Sequence, residues 1–249
     1  MHEMAMSSII MMMLLLFAAA GLYAAVGHGG ASAYLLVFAL WGMSWTQAKP
    51  LALAFNVVVS LLATVVWWQR TPIAWRMFLP LIAGSMPAAF WGNRLPMKDE
   101  WFEYGVALAL LAAATRLWLG ARESDEPRHR APVVLLFLVG GIIGLFSGWM
   151  GIGGGVFLTP FLLLARYARV AQAAVISAAF IFVNSSAGLF GWVQSGKQWP
   201  MLFWWLAPVV LLGGWLGSQW GSRCARSQAL QRCLAGMLVV AMVKMIFLS

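Results

Sequence analysis

Apolar runs long enough to cross a bilayer fill most of this chain, and little that is charged interrupts them. A hydrocarbon core of about 30 Å needs roughly 20 apolar residues in a helix. Runs near that length lie at 7–26, 48–68, 77–95, 101–119, 133–150, 170–193, 201–221 and 230–248. Only 9% of the 249 residues are charged and 63% are hydrophobic, too few polar groups to cover a water-facing surface. The alternating ten-residue strands of an outer-membrane barrel are absent from the pattern. The fold class that follows is an all-α polytopic membrane protein.

The basic excess of 16 Lys+Arg over 7 Asp+Glu does not point to nucleic acid. These residues stand in short loops between apolar runs, where they set topology. Many of the 15 Trp fall near run ends, at Trp41, Trp45, Trp67, Trp68, Trp75, Trp101, Trp118 and Trp199, as expected of interfacial anchors. The two cysteines, Cys224 and Cys233, make no disulfide framework. The run from Ser7 to Val26 lacks the basic start of a signal peptide and reads as a mature helix.

Two apolar segments, 31–43 and 156–166, are too short to span, and each follows a glycine cluster. "VGHGGA" (26–31) aligns with "MGIGGG" (150–155). At a constant offset of 125, Gln47, Ala54, Phe55, Ser60 and Trp67 match Gln172, Ala179, Phe180, Ser185 and Trp192. "GSMPAAFWGNR" (84–94) matches "GGWLGSQWGSR" (213–223). Ordered matches at polar and Trp positions predict a duplication, with two repeats of about four membrane segments each. The first transmembrane repeat is 1–120, the polar linker "ARESDEPRHRA" is 121–131, and the second repeat is 132–249.

Charge placement favours inverted halves. If each half crosses an even number of times, the basic residues divide eight against eight. If each crosses an odd number, one face gathers Arg70, Arg76, Arg116, Arg122, Arg128, Arg130, Arg166, Arg169, Arg223, Arg226 and Arg232. The other keeps Lys49, Arg94, Lys98, Lys197 and Lys244. The positive-inside rule then puts the linker in the cytoplasm and both termini outside. Inversion requires each first helix and its short successor to form a re-entrant hairpin with the glycines at its tip.

Irregular backbone at membrane depth survives only where protein or a water-filled cavity satisfies it. A half-helix starting there aims amides and a positive dipole end inward, which suits an anion. Close helix packing by small residues is the competing explanation. The predicted substrate shell comprises Gly27, His28, Gly29 and Gly30 in one cluster and Gly151, Gly153, Gly154 and Gly155 in the other. Asn56, Ser60, Ser177, Asn184 and Ser185 on the following helices would complete it. Asn56, Ser60 and Thr64 share a helical face at i, i+4, i+8. His28, ionisable and with a reference pKa of about 6.5, is the candidate proton carrier; a neutral His bonded to backbone is the alternative. Gln47 and Gln172 would cap or gate. "GIGGG" lacks the Lys-Ser/Thr of a nucleotide loop. No Cys/His set joins the methionines into a metal site, and no acid pairs with a core His, so no metal, cofactor or catalytic set is expected.

"GLFSGWMGIGGGVFLTPFLLL", followed by "VAQAAVISAAFIFVNSSAGLFGW" and "GGWLGSQWGSR", resembles the sulfite exporter TauE/SafE family of permeases. The resemblance covers nearly the whole chain and is strongest in the second half. It implies a bacterial inner-membrane, multi-pass transporter of sulfite, sulfonates or other small sulfur-containing or organic anions. The family's glycine motif falls on Gly151, Gly153, Gly154 and Gly155 with Pro160 after it, and the start of its next helix on Ala173 to Ser177. The first half departs, with His28 where the second has Ile152, no proline matching Pro160, and Lys49-Pro50 opening its long helix. An ion gradient would supply the energy, since no ATP-binding motif is present. The alternatives are a passive channel for anions or small solutes, and a non-transporting membrane assembly protein.

Overall fold

The computed structural model describes residues 6–94, 131–196, 199–224 and 236. The predicted segment 101–119, all of 230–248 but residue 236, linker residues 121–130, Lys98, Arg116, Lys197, Lys244 and Cys233 lie outside them. Eight helices run through the described residues: α1 (Met6–Ala25), α2 (Ala31–Leu40), α3 (Trp45–Trp68), α4 (Trp75–Gly92), α5 (Val133–Met150), α6 (Gly155–Leu164), α7 (Val170–Val193) and α8 (Leu202–Arg223). No strand occurs among them. Five of the helices (α1, α3, α5, α7 and α8) are long and apolar enough to cross a membrane. The helix α4 is 18 residues long but carries Arg76, Pro80 and Pro87. The lengths repeat as long, short, long, long before residue 95 and after residue 130, with 20, 10, 24 and 18 residues, then 18, 10, 24 and 22.

The most extensive contacts join α4 to α5 and α1 to α8, with α3 and α7 crossing in the middle. Exchanging α1–α4 for α5–α8 maps this pattern onto itself: α3 also packs on α8, and α7 on α4. Small residues make the outer pairs possible. A side chain at Gly213, Gly217 or Gly221 of α8 would strike the carbonyls of Phe17, Gly21 and Ala25 on α1. Gly140, Gly144 and Gly148 of α5 lie equally close to Leu81, Ser85 and Ala89 of α4. Spacings of four put each set on one face, so backbones meet directly through Cα–H···O contacts, as small-residue stripes do in membranes.

These contacts also fix direction. Numbering rises together along α1 with α8 and along α4 with α5, so each of those pairs is parallel. Along α3 and α7 it is opposed, since Leu53 meets Gly188 while Asn56 meets Ser185. The outward faces are oily: Val134, Phe137, Leu138 and Ile142 of α5 and Leu212 and Leu216 of α8 are exposed. A bilayer tolerates such a surface and water does not.

The tryptophans only partly follow the expected belt. Trp68 and Trp75 are about half exposed at helix ends. Trp67 is fully buried, and its indole N–H donates to the Ala24 carbonyl at 3.3 Å. A Trp one residue from a run end faces the core or the lipid according to helical phase, which its distance from the end does not reveal. Trp101 and Trp118 lie outside the described residues.

Candidate functional site

Each glycine cluster ends one helix and begins another. The α1 end is a glycine cap: Gly27 stands at φ 77, its amide donates to Ala24 O, and the His28 amide donates to Tyr23 O. Gly151, at φ 75, closes α5 in the same way, donating to Ser147 O at 2.8 Å. Two residues of turn follow, and then Gly30 (φ 94) and Gly154 (φ 80) serve as N-caps of α2 and α6. The two short helices have ten residues each, about 15 Å, half a hydrocarbon core. The predicted breaks are therefore present at matching positions of both halves.

Each tip rests on the long helix of the other half. A side chain at Gly27 would overlap the Ala174 backbone of α7, and one at Gly151 would press on the Lys49 stem of α3. The Lys49 ammonium donates to Trp149 O, at the carbonyl end of α5, at 3.2 Å. Helix C-termini carry partial negative charge, so this is a favourable seat for a cation.

The centre of the arrangement is Asn56, halfway along α3 and fully buried. Its Oδ1 accepts the amide of Ala31, the first residue of α2, at 3.0 Å. Its Nδ2 donates to Ile152 O at 3.1 Å and Ser185 Oγ at 3.2 Å. One side chain thus ties α3 to both glycine tips and to α7. The donors and acceptors around it fix the amide orientation, since Ala31 N can only donate and Ile152 O only accept. Gly153 lies flat against this junction at φ 80; a Cβ there would stand 2.6 Å from Asn56 Nδ2 and 2.7 Å from Ser185 Oγ.

His28 crosses the repeat boundary in the other direction. Its Nε2 lies 2.9 Å from Gly155 O on α6. A carbonyl only accepts, so Nε2 carries the proton in the neutral ring. The same nitrogen is 3.2 Å from Thr159 Oγ1, which donates to Ser177 Oγ at 2.7 Å. Tyr23 meets the ring edge-on, with centroids 6.5 Å apart. The backbone-bonded histidine envisaged from the sequence is thus present, with one nitrogen engaged.

The remaining predicted shell divides. Ser177 joins the His28–Thr159 chain and Ser185 joins Asn56. Ser60 turns its hydroxyl back to the Asn56 carbonyl of its own helix, and Thr64 does the same to Ser60 O at 2.6 Å. Asn184 Nδ2 likewise donates to Phe180 O within α7. Gln47 and Gln172 are helix caps: their side-chain oxygens accept from the amides of Ser44 (3.2 Å) and Arg169 (3.5 Å). Sequence reasoning missed Thr159 and Tyr34. The signal for Thr159 was a hydroxyl one turn after Gly155 in an otherwise apolar short helix. Tyr34 was the lone tyrosine of the apolar α2, and its hydroxyl lies against Gly30.

Val26–Ala31 and Gly153–Val156 are buried throughout, so this conformation is closed around the tips. All seven carboxylate side chains lie outside the described residues, which leaves the described core with basic and neutral polar groups alone. Among the described residues no group of His, Cys, Asp or Glu is arranged to hold a metal ion.

Helix breaks at matching positions of two halves, meeting around buried polar side chains, are an arrangement found in membrane transporters. The sulfite exporter TauE/SafE family model matches residues 12–245. The chain belongs to this family. A relative in Sinorhizobium fredii (strain NBRC 101917 / NGR234), a probable membrane transporter protein y4hK, is 32% identical over 231 residues. That alignment covers 90% of this chain and 93% of the relative. No solved structure matches the chain. The TauE/SafE protein described here is a multi-pass membrane protein of a transporter family.

Proposed function

We propose that this TauE/SafE protein is a secondary transporter. It moves a small anion, such as sulfite, a sulfonate or a related sulfur-containing or organic anion, across the bacterial inner membrane in exchange with or alongside protons. The observation that carries the reading is the junction at Asn56, where both glycine tips and both long helices meet in one buried polar site. Glycine amides of the two tips and the side chains of Asn56, Ser177 and Ser185 would form the substrate shell after the hairpins part. His28 would carry the coupled proton.

The helix directions support inverted halves. Parallel α4 and α5 and parallel α1 and α8 repeat one relation between the halves. Opposed α3 and α7 fit a two-fold axis in the membrane plane. On that topology Arg70, Arg76, Arg166, Arg169 and Arg223 share the cytoplasmic face.

Purified protein in proteoliposomes, given labelled sulfite with and without a pH gradient, tests the function. Gradient-driven accumulation is expected. Flux that only dissipates the sulfite gradient would assign a passive channel, and no flux for any tested anion would favour an assembly role. Reporter tags at residue 125 and at the C-terminus should fall on opposite faces; finding both on one face would defeat the inverted topology.

A further inference from the structure

At Lys49 the chain departs from its own repeat, for its counterpart at the offset of 125 is Ala174. The two residues hold equivalent places. A side chain at Gly27 would overlap the Ala174 backbone, and one at Gly151 would stand 2.9 Å from Lys49 Cγ. One tip therefore rests on an alanine and the other on a cation. Lys49 is the fifth residue of α3 and is half-buried. A lysine so near a helix end can extend its ammonium to water. This one lies across Gly151 and donates to Trp149 O at 3.2 Å. Capping a helix end returns only part of what drawing an ammonium out of water costs. Nor does the fold require that cap, since α1 closes at Gly27 with Ala174 in the equivalent place.

Position along α3 gives the cation a second meaning. Lys49 and Asn56 are seven residues apart, two turns on one face and about 10 Å along the axis. Both hold the same turn of the other half, Lys49 through Trp149 O and Asn56 through Ile152 O. Ser44, Thr46 and Gln47 before Lys49 are exposed, whereas Asn56 beyond it is fully buried. Exposure thus falls from rim to junction, with the ammonium between. Of the two clusters, 26–31 and 150–155, Ile152 is the one residue not buried, and it follows the glycine on which Lys49 lies. We infer that Lys49 selects for negative charge at the second tip: its ammonium leaves Trp149 O, pairs with an anion arriving from the rim, and hands it toward Asn56. This deepens the transporter reading and rests on it. A helix C-terminus carries only about half an elementary charge, so a full anion displaces it from the ammonium. The ammonium is paired before and after, which keeps the exchange reversible, as passage requires. A cation or a neutral solute offers no such exchange.

Initial rates of labelled sulfite uptake by the full-length protein in proteoliposomes test this with three variants. Lys49→Met keeps an unbranched stem on Gly151 and removes the charge. Its KM should rise about ten- to a hundredfold, with kcat within about threefold of the unaltered protein. Lys49→Gln, neutral but still a donor, should match it. Lys49→Arg restores the charge and should keep KM within about threefold. A residue that only caps α5 would give another pattern: lower thermal stability in Lys49→Met and an unchanged KM in every variant. That result would overturn the inference, and so would a Lys49→Arg KM as high as that of Lys49→Met. No uptake by the unaltered protein would overturn the transporter reading and this inference together. Uptake with an unchanged KM in Lys49→Met would leave the transporter reading standing and remove the role of Lys49 alone.

Discussion

Replacing Asn56 with alanine should cost more stability than any other single polar truncation at the junction. The side chain is fully buried and makes three hydrogen bonds, all to other elements: Ala31 N at 3.0 Å, Ile152 O at 3.1 Å and Ser185 Oγ at 3.2 Å. Interhelical hydrogen bonds within membranes average about 0.6 kcal/mol, so the three together give about 2 kcal/mol. The Ala31 amide, left buried without an acceptor, adds about 1–3 kcal/mol. The expected loss is therefore about 3–5 kcal/mol. Ser60→Ala is the internal control, because that hydroxyl returns to its own helix at Asn56 O and links no two elements. It should cost within about 0.5 kcal/mol. Asn56→Asp keeps the acceptor for Ala31 N but sets a carboxyl oxygen against Ile152 O and buries an ionisable group, so it should cost at least as much as Asn56→Ala. Reversible unfolding in mixed micelles, followed by tryptophan fluorescence, gives the three values. An Asn56→Ala loss no larger than that of Ser60→Ala would refute the junction as the tie between the tips.

Gly153→Ala should be far worse than Gly42→Ala, although both glycines have positive φ. Each alanine bears about 1–2 kcal/mol of left-handed strain, but nothing lies within 4 Å of Gly42 while Gly153 faces Asn56 and Ser185, and thermal unfolding ranks the two. Gly217→Val should prevent α1 and α8 from closing, since its side chain would enter the Gly21 carbonyl, whereas its half-exposed neighbour tolerates Leu216→Val; monodisperse yield on gel filtration reports both. Thr159→Val should cost about 1 kcal/mol, and a double-mutant cycle with Ser177→Ala should show coupling of about 0.5 kcal/mol or more through the 2.7 Å bond between them.

The frame was legible because its signals are repetitive. Run length separated α3 and α7 from the ten-residue α2 and α6, and the glycine clusters marked the turns between helices. The direction of side chains within the membrane was not. Hydropathy is high on every face of these helices, so periodicity could not tell Trp67, buried on Ala24, from Trp68, half exposed. Polarity alone likewise put Asn56 and Ser60 in one class. Both share a helical face, but only the longer amide reaches across to α2 and the second tip, while a serine hydroxyl in a helix finds its own carbonyl four residues back. Thr159 was passed over because one hydroxyl in an apolar helix is ordinary; its meaning came from His28, 131 residues away in sequence.

The mismatch between the two glycine clusters has a structural consequence. His28, Tyr34 and Asn56 in the first half stand opposite Ile152, Leu158 and Ile181 in the second. Thr159 and Ser177 in the second stand opposite Leu35 and Ala52 in the first. Two intact copies would have produced two equivalent polar sites. Here the polar groups of the two halves differ at these positions, and they reach across the boundary: His28 to Gly155 and Thr159, Asn56 to Ile152 and Ser185. One composite set of side chains therefore joins the two tips. Neither half holds that set alone, so any separation of the two tips would break it. On the proposed transporter reading, opening the site and releasing what it binds would for this reason be the same event.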